Sequence, residues 1–272
     1  MVAVNEKRPS KWLTPASGYL TGYTHTLNPY TGCAFGCSYC YVRRMPVGLF
    51  RKETWGEWVD IKRDPSGGFR REWLKAVAKG PVTVFMASAT DPYQPIEYKE
   101  RVTRSILEAM VEAPPQFVLV QTRSPLVTRD IDLLRELGER ARVSMTIESD
   151  LEESRKHFAP SAPPLAARWR AVQELREADV PVQIAVSPLL PHSGRFAEQL
   201  LQASQRIVVD DFFRGDGSLG RRTSQLGVRA LYEELGKQQQ YSPETADSFF
   251  EELKSRADAG SAVLWGQEGF LP

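Results

Sequence analysis

Residues 28–40 read NPYTGCAFGCSYC, and they hold every cysteine of the 272-residue chain: Cys33, Cys37 and Cys40. Thiolates are soft ligands that suit iron–sulfur clusters and zinc, so a compact trio with no thiol elsewhere reads first as a metal site. A four-iron cluster normally takes four cysteines, and three would leave one iron open to another ligand. Structural zinc is the competing reading, with His25 or a distant residue as fourth ligand. It fits less well, because structural zinc usually pairs its cysteines in two separated knuckles. Residues 23–27 (YTHTL) are rich in β-formers and run straight into the turn signal Asn28-Pro29. The loop therefore follows a first strand.

Outward from this loop the pattern becomes regular. Apolar runs at 82–87, 117–121, 143–147, 182–186 and 207–209 read as further strands. Runs such as VTVFMA are what strands buried on both faces look like. Helical patterns at 69–79, 100–112, 131–139, 165–178 and 196–204 lie between them. Such alternation implies right-handed βαβ crossovers and a mainly parallel sheet. About six strands predict an α/β fold, a partial (β/α)6 barrel, over residues 23–217. Residues 1–22 read as a polar N-terminal extension draped over it. Residues 218–272 read as a C-terminal helical cap on the same unit, with helices at 224–240 and 243–257. Residues 46–68 form an irregular insertion with a strand at 58–62, and Pro46 is expected to stop a short helix at 41–45.

Composition bounds the function. With 42% hydrophobic residues the chain can bury a sizeable core, and a formal net charge of +1 gives no strong electrostatic case for nucleic acid as a partner, though it leaves room for a local basic stripe. It has no apolar run long enough to span a membrane, and MVAVNEKRPSKWL lacks the apolar stretch of a secretory signal. A reducing compartment suits metal-binding thiols, so a cytoplasmic location is expected, with no membrane partner.

In parallel α/β architectures ligands collect at the carboxyl ends of the strands. That rim is predicted to carry Ser88, Thr90, Asp91, Tyr93 and Gln94, then Thr122, Arg123 and Ser124, then Glu148, Ser149 and Asp150. Ser187, His192, Asp210 and Asp211 complete it. Plainer roles compete for several of these residues. Asp91-Pro92 suits a turn or helix cap, and Arg123 could form an ion pair with Asp91 or Glu148. Tyr93 and Tyr98 could relay a hydrogen atom, but packing or hydrogen bonding explains them as well.

The spacing Cys33-x3-Cys37-x-Tyr39-Cys40 after a first strand resembles the signature loop of radical S-adenosylmethionine (SAM) enzymes. The blocks CSYCYVRR, ATDPYQPIE, TRSPLVTRDIDLL, VSMTIES, FAPSAPPLAARWRAVQEL and VSPLLP, in that order, resemble the spore photoproduct lyase-like branch, often labelled DNA repair photolyases. The resemblance implies a radical SAM barrel in which Cys33, Cys37 and Cys40 hold a [4Fe–4S] cluster whose open iron binds SAM. Reductive cleavage then releases a 5′-deoxyadenosyl radical that takes hydrogen from a substrate. It places Tyr39 near the adenine, Thr90, beside Asp91, at the amino group, and Arg123 at the carboxylate. Ser144, Thr146 and Glu148 fall where the family contacts ribose or carboxylate. It also implies a reductase or a flavodoxin- or ferredoxin-type electron donor. The resemblance breaks at one point. Spore photoproduct lyases carry a further cysteine after the second strand as hydrogen-atom donor, and here that stretch is Ala87-Ser88-Ala89-Thr90. A serine O–H bond is too strong for that task. Two readings stay open beside the enzyme with an unidentified substrate: a DNA-repair lyase with a donor other than cysteine, and a non-enzymatic zinc or iron–sulfur module. No catalytic residue is assigned.

Overall fold

In the computed structural model, which describes residues 2–272, six strands run parallel in the order in which they occur in the chain. In chain order the strands are β1 (Ala3–Lys7), β2 (Leu13–Pro15), β3 (His25–Leu27), β4 (Tyr30–Thr31), β5 (Trp58–Lys62), β6 (Thr83–Met86), β7 (Phe117–Thr122), β8 (Ala141–Thr146), β9 (Val182–Val186), β10 (Arg206–Val209) and β11 (Ala262–Trp265). The sequence β3-β6-β7-β8-β9-β10 is parallel throughout. Together with the intervening helices it is the expected α/β arrangement, a partial (β/α)6 barrel. Val84, Val118, Val143 and Ile184 are fully buried, as the continuous apolar runs require.

Both ends of the chain contribute more to the sheets than their composition suggests. Within residues 2–22, β1 pairs in parallel with β5, and β2 pairs antiparallel with β3 at the edge of the main sheet. Every residue of β1 is exposed, so no apolar alternation announces it. It is held by backbone pairing and by the 2.6 Å ion pair from Lys7 to buried Asp60. At the other end, β11 joins in parallel beside β10, so the C-terminal cap includes a strand as well as helices. The helix predicted at 224–240 is broken into Arg221–Ser224 and Val228–Glu234. Gly227 and Gly236 cause the break, since both take the left-handed conformation (φ +68° and +64°). The short helix expected before Pro46 is present as the single turn Tyr41–Arg44, and Pro46 also starts the next helix, Pro46–Leu49, as its fixed φ and missing N–H allow at a first helical position.

The main core lies between the sheet and the outer helices. Trp73 is fully buried there, stacked on Phe69, with its indole N–H donating to the Ala113 carbonyl. A second apolar cluster surrounds the cysteine loop, where Phe35 and Tyr39 pack with Phe158, Phe212 and Tyr232. This cluster fixes the loop against the helix Glu152–Phe158 and the C-terminal region.

Candidate active site

The cysteine loop leaves β4 through Gly32, whose φ of +81° disfavours any side chain. A Cβ at Gly32 would also lie 2.6–2.7 Å from the Trp58 ring and carbonyl. Short turns follow, with the Gly36 N–H donating to the Cys33 carbonyl and the Cys40 N–H to the Cys37 carbonyl. Buried Gln94 clasps the loop: its Oε1 accepts from the Ala34 N–H at 2.9 Å and its Nε2 donates to the Gly32 carbonyl at 3.3 Å. The Thr90 hydroxyl donates to the same carbonyl at 2.5 Å. From the other side, Ser38 donates through both N–H and Oγ to the Phe158 carbonyl.

Cys33, Cys37 and Cys40 form no disulfide, and all three line a cavity of about 490 Å³ at the carboxyl ends of the parallel strands. That volume lies within the roughly 300–1,000 Å³ of small-molecule sites. A larger groove of about 740 Å³ lies on the outer face beside Trp169 and Gln199, away from the thiols. Among the described residues, no three His, Cys, Asp or Glu side chains gather around a single ion-sized point. Burial pushes the Cys33 thiol well above its usual range, with the charge of Asp91 acting in the same direction. It lifts Cys40 to about 12. Cys37 is also raised by burial, while the Arg123 cation pulls it back. Metal binding would require these protons to leave.

A charged network stands behind Cys37. Arg123 Nη1 lies 2.9 Å from Cys37 Sγ, 2.7 Å from the Tyr39 hydroxyl and 2.7 Å from Glu148 Oε1. Tyr39 in turn donates to Glu148 Oε1 at 2.5 Å. Glu148 Oε2 accepts from Nη1 of Arg168, a fully buried arginine whose Nη2 has no partner. Burial alone would raise the Glu148 carboxyl, but Arg168 and Arg123 outweigh it and hold it below the usual carboxylate range. Asp91 accepts from the Thr122 hydroxyl (2.7 Å), the Arg123 N–H (2.9 Å) and the Tyr93 N–H (2.9 Å). Burial nevertheless lifts its carboxyl above the normal value.

The structure brings Thr90, Asp91 and Arg123 to the cavity wall with the three cysteines. Tyr39, Ser144 and Glu148 are not among the lining residues. Tyr39 sits in the apolar cluster behind the loop, near Phe158 and Phe212. Ser144 is fully buried and accepts from Gln183 Nε2 at 3.0 Å. Tyr93 is fully buried and donates to Asp130 at 3.0 Å, whereas Tyr98 is 75% exposed and also lies off the wall. Several lining residues had drawn no attention in the sequence. Tyr41 follows Cys40 directly, and its hydroxyl donates to the Ser88 carbonyl. Tyr19 comes from the N-terminal segment and donates to Asp210 at 3.0 Å. Gln121 donates through Nε2 to Thr146 at 2.7 Å, while its buried Oε1 has no partner. A glutamine inside the strand FVLVQT is a usable signal, because a polar side chain in a buried strand needs a reason.

The donor set fits an iron–sulfur group together with a small polar ligand. It offers three unpaired thiols, the Arg123 cation, and an orphaned acceptor on Gln121 within one cavity. The family model described as the Radical SAM superfamily matches residues 27–200. An uncharacterized protein of Methanocaldococcus jannaschii is 28% identical over 191 residues, which is 70% of this chain and 68% of that protein. Against other curated relatives the match spans little more than half of their length. Among solved structures, a spore photoproduct lyase variant matches 98% of this chain and 81% of its own with a TM-score of 0.66 at 14% identity. Another variant of that lyase, with bound AdoMet and dinucleoside spore photoproduct, matches the same shares with a TM-score of 0.62 at 15% identity. These likenesses establish a shared fold.

Proposed function

The chain belongs to the radical SAM superfamily, and from that premise we propose that Cys33, Cys37 and Cys40 hold a [4Fe–4S] cluster with one iron left open for SAM. The observation that carries this reading is the meeting of all three thiols with Thr90, Arg123 and Gln121 in one cavity at the carboxyl end of the sheet. A cluster presents each thiolate to a different iron, and three cysteines in one compact loop suit that better than the separated cysteine pairs usual for structural zinc. When bound, the cluster and SAM supply a 5′-deoxyadenosyl radical that abstracts hydrogen from a substrate.

The chain's own residues position and shield. Among the described residues the Arg123 side chain bonds protein only through Nη1, so the rest of its guanidinium fork is available on the cavity wall for the SAM carboxylate. Asp91 fixes the backbone of Arg123, and Tyr39 and Glu148 fix its side chain, which gives those residues a supporting role in place of direct contact with SAM. Thr90 donates its proton to Gly32 and keeps acceptor capacity for the SAM amino group. Gln121 Oε1 would accept from a ligand hydroxyl or amine, and Thr146 supports that amide. Ser144 lies behind this wall. Residues 23–217 form the catalytic barrel in this reading, with 1–22 and 218–272 packed on the same unit. An external one-electron donor of reductase, flavodoxin or ferredoxin type is required. Ala87-Ser88-Ala89-Thr90 brings no thiol to the cavity, so a lyase-type return of hydrogen would draw on another group.

Metal analysis of anaerobically reconstituted protein tests the ligand set. Iron and acid-labile sulfide in equal amounts are expected, and replacement of any one cysteine by alanine should remove most of both. About one zinc per chain without sulfide would overturn the proposal.

A further inference from the structure

Of the three thiols, Cys37 alone has a side-chain hydrogen-bond donor among the described residues, and that donor is a cation. Arg123 Nη1 points at its sulfur from 2.9 Å. The arginine is held there from two directions. Its backbone N–H is bound by Asp91, and its Nη1 is bound by Glu148, which buried Arg168 locks from behind at 2.6 Å. The surroundings of the three sulfurs are therefore electrically unequal, with the positive side at Cys37.

We infer that Arg123 tunes the cluster: by donating to the Cys37 sulfur it raises the reduction potential of the cluster and so eases the entry of the electron. This rests on the cluster reading above and goes beyond it. An added electron increases negative charge on the sulfurs. A guanidinium N–H beside one of them stabilises the reduced state more than the oxidised state. Hydrogen bonds to the sulfurs and local net charge are established determinants of such potentials. The effect is strengthened because the contact is partly buried, where charge interactions are screened less than in water. Arg123 then has two edges with separate duties, Nη1 toward the sulfur and the remainder toward the cavity. Only the first duty should be visible without SAM.

The test is a potentiometric titration of the loaded protein, followed by electron paramagnetic resonance, in the absence of SAM. Wild type is compared with Arg123→Gln, which removes the charge, and Arg123→Lys, which keeps it with different geometry. The glutamine variant should reduce at least tenfold less favourably at a given applied potential, a fall of about 59 mV for one electron. The lysine variant should fall between glutamine and wild type. If Arg123→Gln loses its cluster, the lysine variant carries the test, and it too should lie below wild type. Equal potentials in variants with full iron and sulfide content would overturn the tuning role and leave the cluster reading intact. A wild type that takes up no cluster would overturn both.

Discussion

Asp210→Asn should change how the stability of this chain depends on pH. Asp210 follows the last barrel strand and is 3% exposed. Among the described residues its carboxylate receives only the Tyr19 hydroxyl at 3.0 Å and the Asp211 N–H at 2.8 Å. Its neighbours are better served: Glu148 has two arginines, Asp211 pairs with Arg214, and Asp216 collects the N–H groups of residues 218, 220, 222 and 223. Burial therefore dominates and lifts Asp210 from 3.8 to about 7. The sign follows from proton binding. Between these two values the folded chain keeps a proton that the unfolded chain has released, so stability falls as pH rises through the window. Below it both states are protonated, and above it both are ionised. At about 1.4 kcal/mol per pH unit the loss amounts to about 4 kcal/mol. Asparagine cannot ionise, yet it can accept from the Asp211 N–H and donate to the Tyr19 oxygen. Urea unfolding of the cluster-free chain at intervals from pH 4 to 8 should show wild type losing about 4 kcal/mol relative to Asp210→Asn, mostly below pH 7. Parallel curves for the two proteins would refute the argument that this carboxylate is left poorly compensated.

Two further substitutions probe the scaffold. Arg168→Met leaves Glu148 buried with one arginine in place of two and should cost about 3–5 kcal/mol in urea unfolding, as expected for a broken buried pair. A cost below about 1 kcal/mol would mean that Arg123 alone satisfies the carboxylate. Gly32→Ala should depress iron uptake strongly, because the new methyl meets the Trp58 ring and carbonyl at the root of the cysteine loop. Gly236→Ala is its control: the conformation is also left-handed, but nothing lies within 4 Å and the site is away from the cavity, so only a backbone cost of about 1–2 kcal/mol is expected and iron uptake should be normal.

What could be read from the sequence was what is local. The cysteine loop, the turn before it and the apolar strand runs are short-range patterns, and β9 spans the residues that the pattern predicts. Thr90, Asp91 and Arg123 were legible because they stand where apolar runs end, and strand ends converge in a parallel sheet. Arg168 was not, since nothing in LAARWRAVQEL says which arginine turns inward; that depends on a carboxylate twenty residues earlier in the chain. Tyr39 and Glu148 were legible as rim residues, but their bonds to Arg123 were not, because side-chain direction depends on partners far along the chain. β1 and β11 carry little periodic signal and exist through pairing with distant partners, Trp58–Lys62 and Arg206–Val209.

The reaction proposed for this cavity is the cleavage of SAM at an iron left open by three thiolates. Its most direct measurement is 5′-deoxyadenosine formed by the anaerobically reconstituted protein with SAM and dithionite. Wild type should produce it, and the three single cysteine-to-alanine variants should not. An intact [4Fe–4S] cluster in wild type that yields no 5′-deoxyadenosine would contradict the account.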